Sequence, residues 1–150
     1  MKLPVINDWL TLIANLGVLI GVIAVVVELN QNTRAIRDSA IQSLDSGVLT
    51  VVNMLAADRE NAVLFADGTT DFANLDRDEQ IHYSALVNAI CLRMDVSWFA
   101  FQNGLLPEQL WRREEDVLRE LVNSPGGKAV WVNCNASQEF LGYVEQFLLD

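Results

Sequence analysis

The apolar residues of this chain fall into one unbroken run followed by a series of helical stripes. The run covers residues 9–27, WLTLIANLGVLIGVIAVVV; it holds no charge and is bounded by Asp8 and Glu28. At ~1.5 Å per residue it spans roughly 28 Å, close to the ~30 Å hydrocarbon core of a bilayer. That length predicts one transmembrane helix rather than the core helix of a water-soluble protein. A cleaved signal peptide fits less well. The leader offers only Lys2 and the terminal amine as cations, Asp8 opposes them, and the ELNQNTRAIR that follows has no Ala-x-Ala. A retained anchor is the expectation.

Beyond the run, Asn30 to Thr33 make a polar step, and apolar positions then recur at Ile36, Ile41, Leu44, Val48, Val51, Val52 and Leu55 with helical spacing. No proline interrupts residues 5–106, so the membrane helix can continue as a stalk, with Asp45-Ser46-Gly47 the expected bend. A short helix is predicted over 59–66 and a polar loop over 67–75. Asp76 then opens a helix, with Glu79 completing a capping box. From Ile81 to Phe101 the apolar residues point in every direction, which predicts the buried central helix of a bundle. Asn88, Arg93 and Asp95 make it a poor second span. Asn103-Gly104 should end it, and Pro107 suits the first turn of the next helix. That helix carries the stripe Leu110, Trp111, Val117, Leu118, Leu121 and Val122. Ser124 and Ser137 are placed to cap two final short helices, the second with the stripe Phe140, Leu141, Val144, Phe147 and Leu148. No run alternates with period two. The predicted fold class is all-α: a single transmembrane helix, continuing as a stalk, plus a soluble helical bundle, with domains at 1–29 and 30–150.

Placing residues 9–27 at 100° steps separates three arcs. Leu12, Leu16, Leu19, Ile20, Ile23 and Val27 share a lipid-facing side with Trp9 as interfacial anchor. Ala14, Gly17, Gly21 and Ala24 share a second arc, on which Glu28 also falls. Asp8, Thr11 and Asn15 share a third, continued by Val18 and Val22. Gly17-x-x-x-Gly21 permits close backbone approach between helices, and the Asn15 amide needs a hydrogen-bonding partner inside the apolar layer. The expected membrane interface is Ala14, Asn15, Gly17, Gly21 and Ala24. A narrower alternative is a pore lined by Thr11, Asn15, Val18 and Val22, with Asp8 and Glu28 as acidic rings favouring cations.

Charge narrows the partners. The chain carries 10 Lys/Arg against 20 Asp/Glu. All but Asp8 and Glu28 of the acids, and all but Lys2 of the bases, lie beyond residue 29. A domain this acidic repels phosphate backbones and anionic lipid surfaces, so no nucleic-acid partner is expected. The 2 cysteines, Cys91 and Cys134, fit a reduced compartment; a disulfide is open but nothing in the sequence requires one. Arg34 and Arg37 on one side of the span, against Lys2 on the other, place the large domain in the cytoplasm by the positive-inside rule.

No catalytic constellation emerges. His82 stands alone and reads as a packed or surface residue rather than a base. Cys91, Cys134 and His82 match no zinc spacing. There is no Gly-x-Gly-x-x-Gly, P-loop or Gly-x-Ser-x-Gly, and Gly126-Gly127 after Pro125 reads as first-turn chemistry, not a phosphate cradle. Glu114-Glu115-Asp116 reads as a solvated helix face, and Trp98, Trp111 and Trp131 as core. Arg93 and Asp95, on the buried helix, are expected in ion pairs with neighbours, or less simply as contacts to a ligand. No metal site is predicted, and the sequence assigns no cofactor.

Several segments resemble, in order, a family of short uncharacterised bacterial inner-membrane proteins: GVLIGVIAVVVELNQNT (17–33) with RAIRDSAIQ after it, DRDEQIHYSALV, RMDVSWFAFQNGLLPEQLW, and SPGGKAVW. The resemblance implies one N-terminal membrane helix, a helical cytoplasmic domain and association with other membrane components. It supplies no catalytic residues. The sequence therefore predicts a non-enzymatic inner-membrane protein that self-assembles or serves as an accessory or scaffold subunit. Its partners would be lipid, itself and other integral membrane proteins. A small cation channel is the alternative. A third is a ligand sensor binding an apolar molecule beside Arg93.

Overall fold

The computed structural model describes the backbone of residues 3–149 and the side chains of residues 9–149. The fold is all-helical, with no strand among the described residues. Six α-helices follow one another: α1 (Leu3–Ala56), α2 (Arg59–Thr70), α3 (Arg77–Gln102), α4 (Glu108–Asn123), α5 (Pro125–Trp131) and α6 (Gln138–Phe147), with a 3-10 turn at Phe72–Asn74. The chain divides into two units, Met1–Ser39 and Ala40–Asp150.

The described residues of the first unit all belong to α1. From Trp9 onward it holds an 18-residue window with a mean hydropathy of 2.7, long and apolar enough to cross a membrane. Every residue from 9 to 39 is exposed, so no protein surface covers the hydrocarbon side chains of Leu12, Leu16 and Ile20.

In the second unit the first surprise is that α1 does not bend at Asp45-Ser46-Gly47. Ser46 donates its hydroxyl to the Gln42 carbonyl at 2.9 Å, and Thr50 donates to that of Ser46 at 2.8 Å. These polar residues turn back onto their own helix instead of breaking it. A Cβ on Gly47 would lie 3.4 Å from the Arg93 stem, an ordinary packing contact. The break comes at Ala57, where Asp58 caps α2 by accepting from the Glu60 amide.

Residues 67–70 are helical as well, although their polarity predicts a loop. Thr69 and Thr70 donate to the carbonyls of Phe65 and Ala66, which holds the last turn of α2 together. Asp76 caps α3 as expected. It accepts from the Asp78 and Glu79 amides, and Glu79 accepts in return from the Asp76 amide. Gly104 at φ 68° follows the end of α3, where a side chain would be strained. Pro107 stands one position before α4 rather than inside its first turn. Ser124 and Ser137 cap α5 and α6.

The core is drawn mainly from α3, α4, α5 and α6, with Leu44 of α1 and Leu64 of α2 contributing to it. Tyr83, Met94, Trp111, Leu118, Val122, Phe140 and Val144 are fully or almost fully buried. Trp111 stacks on Phe101, and Trp131 meets Phe140 edge-on. α3 is not buried all round: Ile81, Leu92, Val96 and Phe99 are exposed, because only part of its circumference has a neighbouring helix. Val117 on α4 and Phe147 on α6 are likewise exposed, outside the stripes assigned to them.

Cys91 and Cys134 form a disulfide with Cα atoms 6.5 Å apart. The sequence left this pairing open and fitted the cysteines to a reduced compartment. The bond joins α3 to the segment between α5 and α6. The crossing of α2 over α5 leaves no room for a side chain. A Cβ on Gly126 would sit 2.8 Å from the Tyr83 hydroxyl and closer still to the backbone of Gly68. So Gly126, read from sequence only as first-turn chemistry, is what lets two helices touch.

Burial raises the pKa of both tyrosines. Desolvation dominates at Tyr83, and at Tyr143 it is reinforced by the hydrogen bond to Glu115. A raised folded-state pKa means stability that is intact below the ordinary value of 10.0 and lost as pH climbs through the raised values. Because the chain has 2 tyrosines, tyrosinate absorbance reports on these alone. It should rise late, together with loss of helical circular dichroism. Absorbance rising in the ordinary phenol range with the helix intact would refute this.

Candidate functional site

Two regions concentrate the residues singled out in the sequence, one in each unit.

In the first unit, Asn15, Gly17, Gly21, Ala14 and Ala24 are all exposed on one continuous helix. A Cβ built at Gly17 or Gly21 would meet nothing within 4 Å. The small-residue face is thus open to its full depth. Thr11 and Glu28 are also exposed on this helix, while the Asp8 side chain lies outside the described residues.

In the second unit, Arg93 and Asp95 do not pair with each other. Arg93 donates from Nη1 to Glu114 Oε1 at 3.1 Å, with the two side chains 13% and 17% exposed. Its Nη2 reaches Met94 Sδ at 3.0 Å. Among the described residues no cation pairs with Asp95; it accepts from the Ser137 amide at 2.9 Å and from the Ser137 hydroxyl at 2.6 Å. Glu114 and Glu115 are therefore not a solvated face. Glu115 accepts from the Tyr143 hydroxyl at 2.6 Å and lies near Arg112 and Arg119. Three neighbouring acids in sequence give no sign of this; the partners come from α3 and α6, far along the chain.

Arg93 and Glu114 stand in the wall of a half-open groove of about 530 Å³. Its apolar walls come from the last turns of α1 (Val48, Val52), from Phe65 on α2, Ile90 on α3 and Val117 on α4. Several helix pairs pack closely, α2 with α3 and α3 with α4 among them. α1 is not among these pairs, and its side chains bridge a wider gap. The sequence pointed to Arg93 but not to the groove, since its walls come from four helices whose apolar positions each read as ordinary core.

His82 is exposed beside a separate acidic cleft with Asp58, Asp67, Asp78 and Glu79. No group of three or more histidine, cysteine or carboxylate residues able to hold a metal is present among the described residues. No family model, no curated protein and no solved structure matches the chain.

Proposed function

We propose that this chain is a non-catalytic, membrane-anchored helical protein of the bacterial inner membrane that associates through its membrane helix, with copies of itself or within a larger membrane complex. One observation carries this reading: a helix apolar from residue 9 to 27, exposed throughout, on which Gly17 and Gly21 lie open with Asn15 beside them. In lipid, helices gain nothing from hiding hydrocarbon from one another; association draws instead on close backbone packing and on polar bonds worth ~0.6–2 kcal/mol. Small residues and one amide on a single side supply both.

The test is the mass and composition of the intact particle in lipid discs, for wild type and for Gly17→Ile with Gly21→Ile. Wild type should run as a homogeneous oligomer or carry other membrane proteins, and the added bulk should release the monomer. A wild-type monomer, or a particle indifferent to both substitutions, would sink the proposal.

Arg34 and Arg37 support a cytoplasmic position for the large domain. The Cys91–Cys134 bond pulls the other way, because the cytosol keeps thiols reduced. Alkylating intact cells before lysis reads the side: modified thiols place the domain in the cytoplasm, an intact bond outside it.

A further inference from the structure

One side of α3 is explained neither by the core nor by the membrane helix. A helix with apolar residues all round its circumference needs cover all round, and on this side it has none. Ile81, Ala85, Ala89, Leu92, Val96 and Phe99 recur at steps of three and four and share that side. Ala89 is half-buried and the other five are exposed. The stripe they form runs ~27 Å along the helix. It carries no charge from Ile81 to Phe99. Arg93 and Asp95 lie on its flanks and are engaged elsewhere, by Glu114 and by Ser137.

Charge and area together say what covers it. The chain has a net charge of −10. Two copies therefore repel over most of their surfaces, and least along an uncharged stripe. A partner of another kind would recognise so acidic a domain by complementary charge. Across a twofold axis the same patch meets itself, so a self-pairing face must be free of charge, as this one is. Ile81 and Val96 are 61% exposed, Phe99 64% and Leu92 40%. Side chains of this size offer on the order of 500 Å² per copy, or about 1,000 Å² for two, the lower limit of a specific interface. A contact of that size is weak between free molecules. Between copies already held side by side by their membrane helices it becomes an intramolecular step, and the area is sufficient.

We propose that, within the membrane-held assembly, the stripe of α3 from Ile81 to Phe99 packs against the same stripe of a second copy. The inference rests on association through the membrane helix and names the partner in it, which is this chain itself.

The test uses the full chain in lipid discs, with Leu92→Cys near the middle of the stripe and a short bis-maleimide as linker. Cys91 and Cys134 are bonded to each other and do not compete. Leu92→Cys should link two copies severalfold faster than Phe147→Cys, a more exposed position on α6 whose carbonyl is held by Arg119 of α4. Adding Val96→Glu puts a charge where it meets its own copy; linking should fall to the control rate while circular dichroism and melt stay as in wild type. Gly17→Ile with Gly21→Ile should lower it equally, because the stripe alone does not hold free copies together. If Leu92→Cys does not fold, Val96→Cys with Phe99→Glu takes the place of that pair. Equal rates at Leu92→Cys and Phe147→Cys, in a particle that the glycine substitutions still dissociate, would overturn the pairing of α3 and leave the membrane reading standing. That is the result if lipid or another protein covers the stripe. Linking that survives Val96→Glu would overturn the pairing as well. Linking that survives the glycine substitutions would count against the membrane reading and support the pairing, and a wild-type monomer would overturn both.

Discussion

Replacing Gly126 by alanine should destabilise the soluble domain by about 3 kcal/mol or more, enough to unfold much of it. The alanine methyl would have to enter space held by the backbone of Gly68 and by the Tyr83 hydroxyl. A flexible side chain could swing away; a carbonyl in the last turn of α2 cannot without dragging the helix. Tyr83 is fully buried against Phe65 and Phe72, so it has no free direction either. Chemical denaturation followed by circular dichroism measures the effect, with Gly142→Ala as control. A Cβ at Gly142 meets nothing within 4 Å, and alanine is the better helix former by up to ~1 kcal/mol. Equal stabilities for the two variants would show that the α2–α5 crossing is looser than described.

The second large effect concerns the disulfide. Cys91 and Cys134 are separated by 43 positions, and closing a loop of that size costs the unfolded chain entropy worth about 4 kcal/mol on the loop-closure account. Cys134→Ser should therefore lower the denaturation midpoint, and reducing agent should lower that of wild type by the same amount while leaving the variant unchanged. A variant as stable as oxidised wild type would mean that the ring contributes nothing.

The parts legible in the sequence were those whose cause is local. The uncharged run shows as a long apolar helix because hydropathy and length need no partner to be recognised. Asp76 with Glu79, Ser124 and Ser137 cap helices because a cap acts over three residues. The errors have two physical origins, one local and one distant. Asp45-Ser46-Gly47 and the residues from Asp67 to Thr70 have loop-like composition, yet hydroxyls returned to their own helix's carbonyls keep both segments wound. The surroundings of Glu114 and Glu115, the groove, the Cys91–Cys134 bond and the role of Gly126 all depend on residues twenty or more positions away. Nothing in the periodicity of a single helix encodes which neighbour it will meet. Of the candidate site, Arg93 was visible as an odd charge on an apolar helix, whereas its partner Glu114 looked like surface.

The Asp95 contact has a wider consequence. A carboxylate in the middle of α3 leads one to look for an arginine or lysine within ion-pair distance, and none is there among the described residues. Its two hydrogen bonds come from Ser137, the residue that opens α6. The start of a helix carries roughly half a positive charge from its aligned peptide dipoles. The counter-charge of Asp95 is thus the backbone of α6 itself, and the anion that would be a liability in the middle of α3 is what fixes where the last helix of the chain begins.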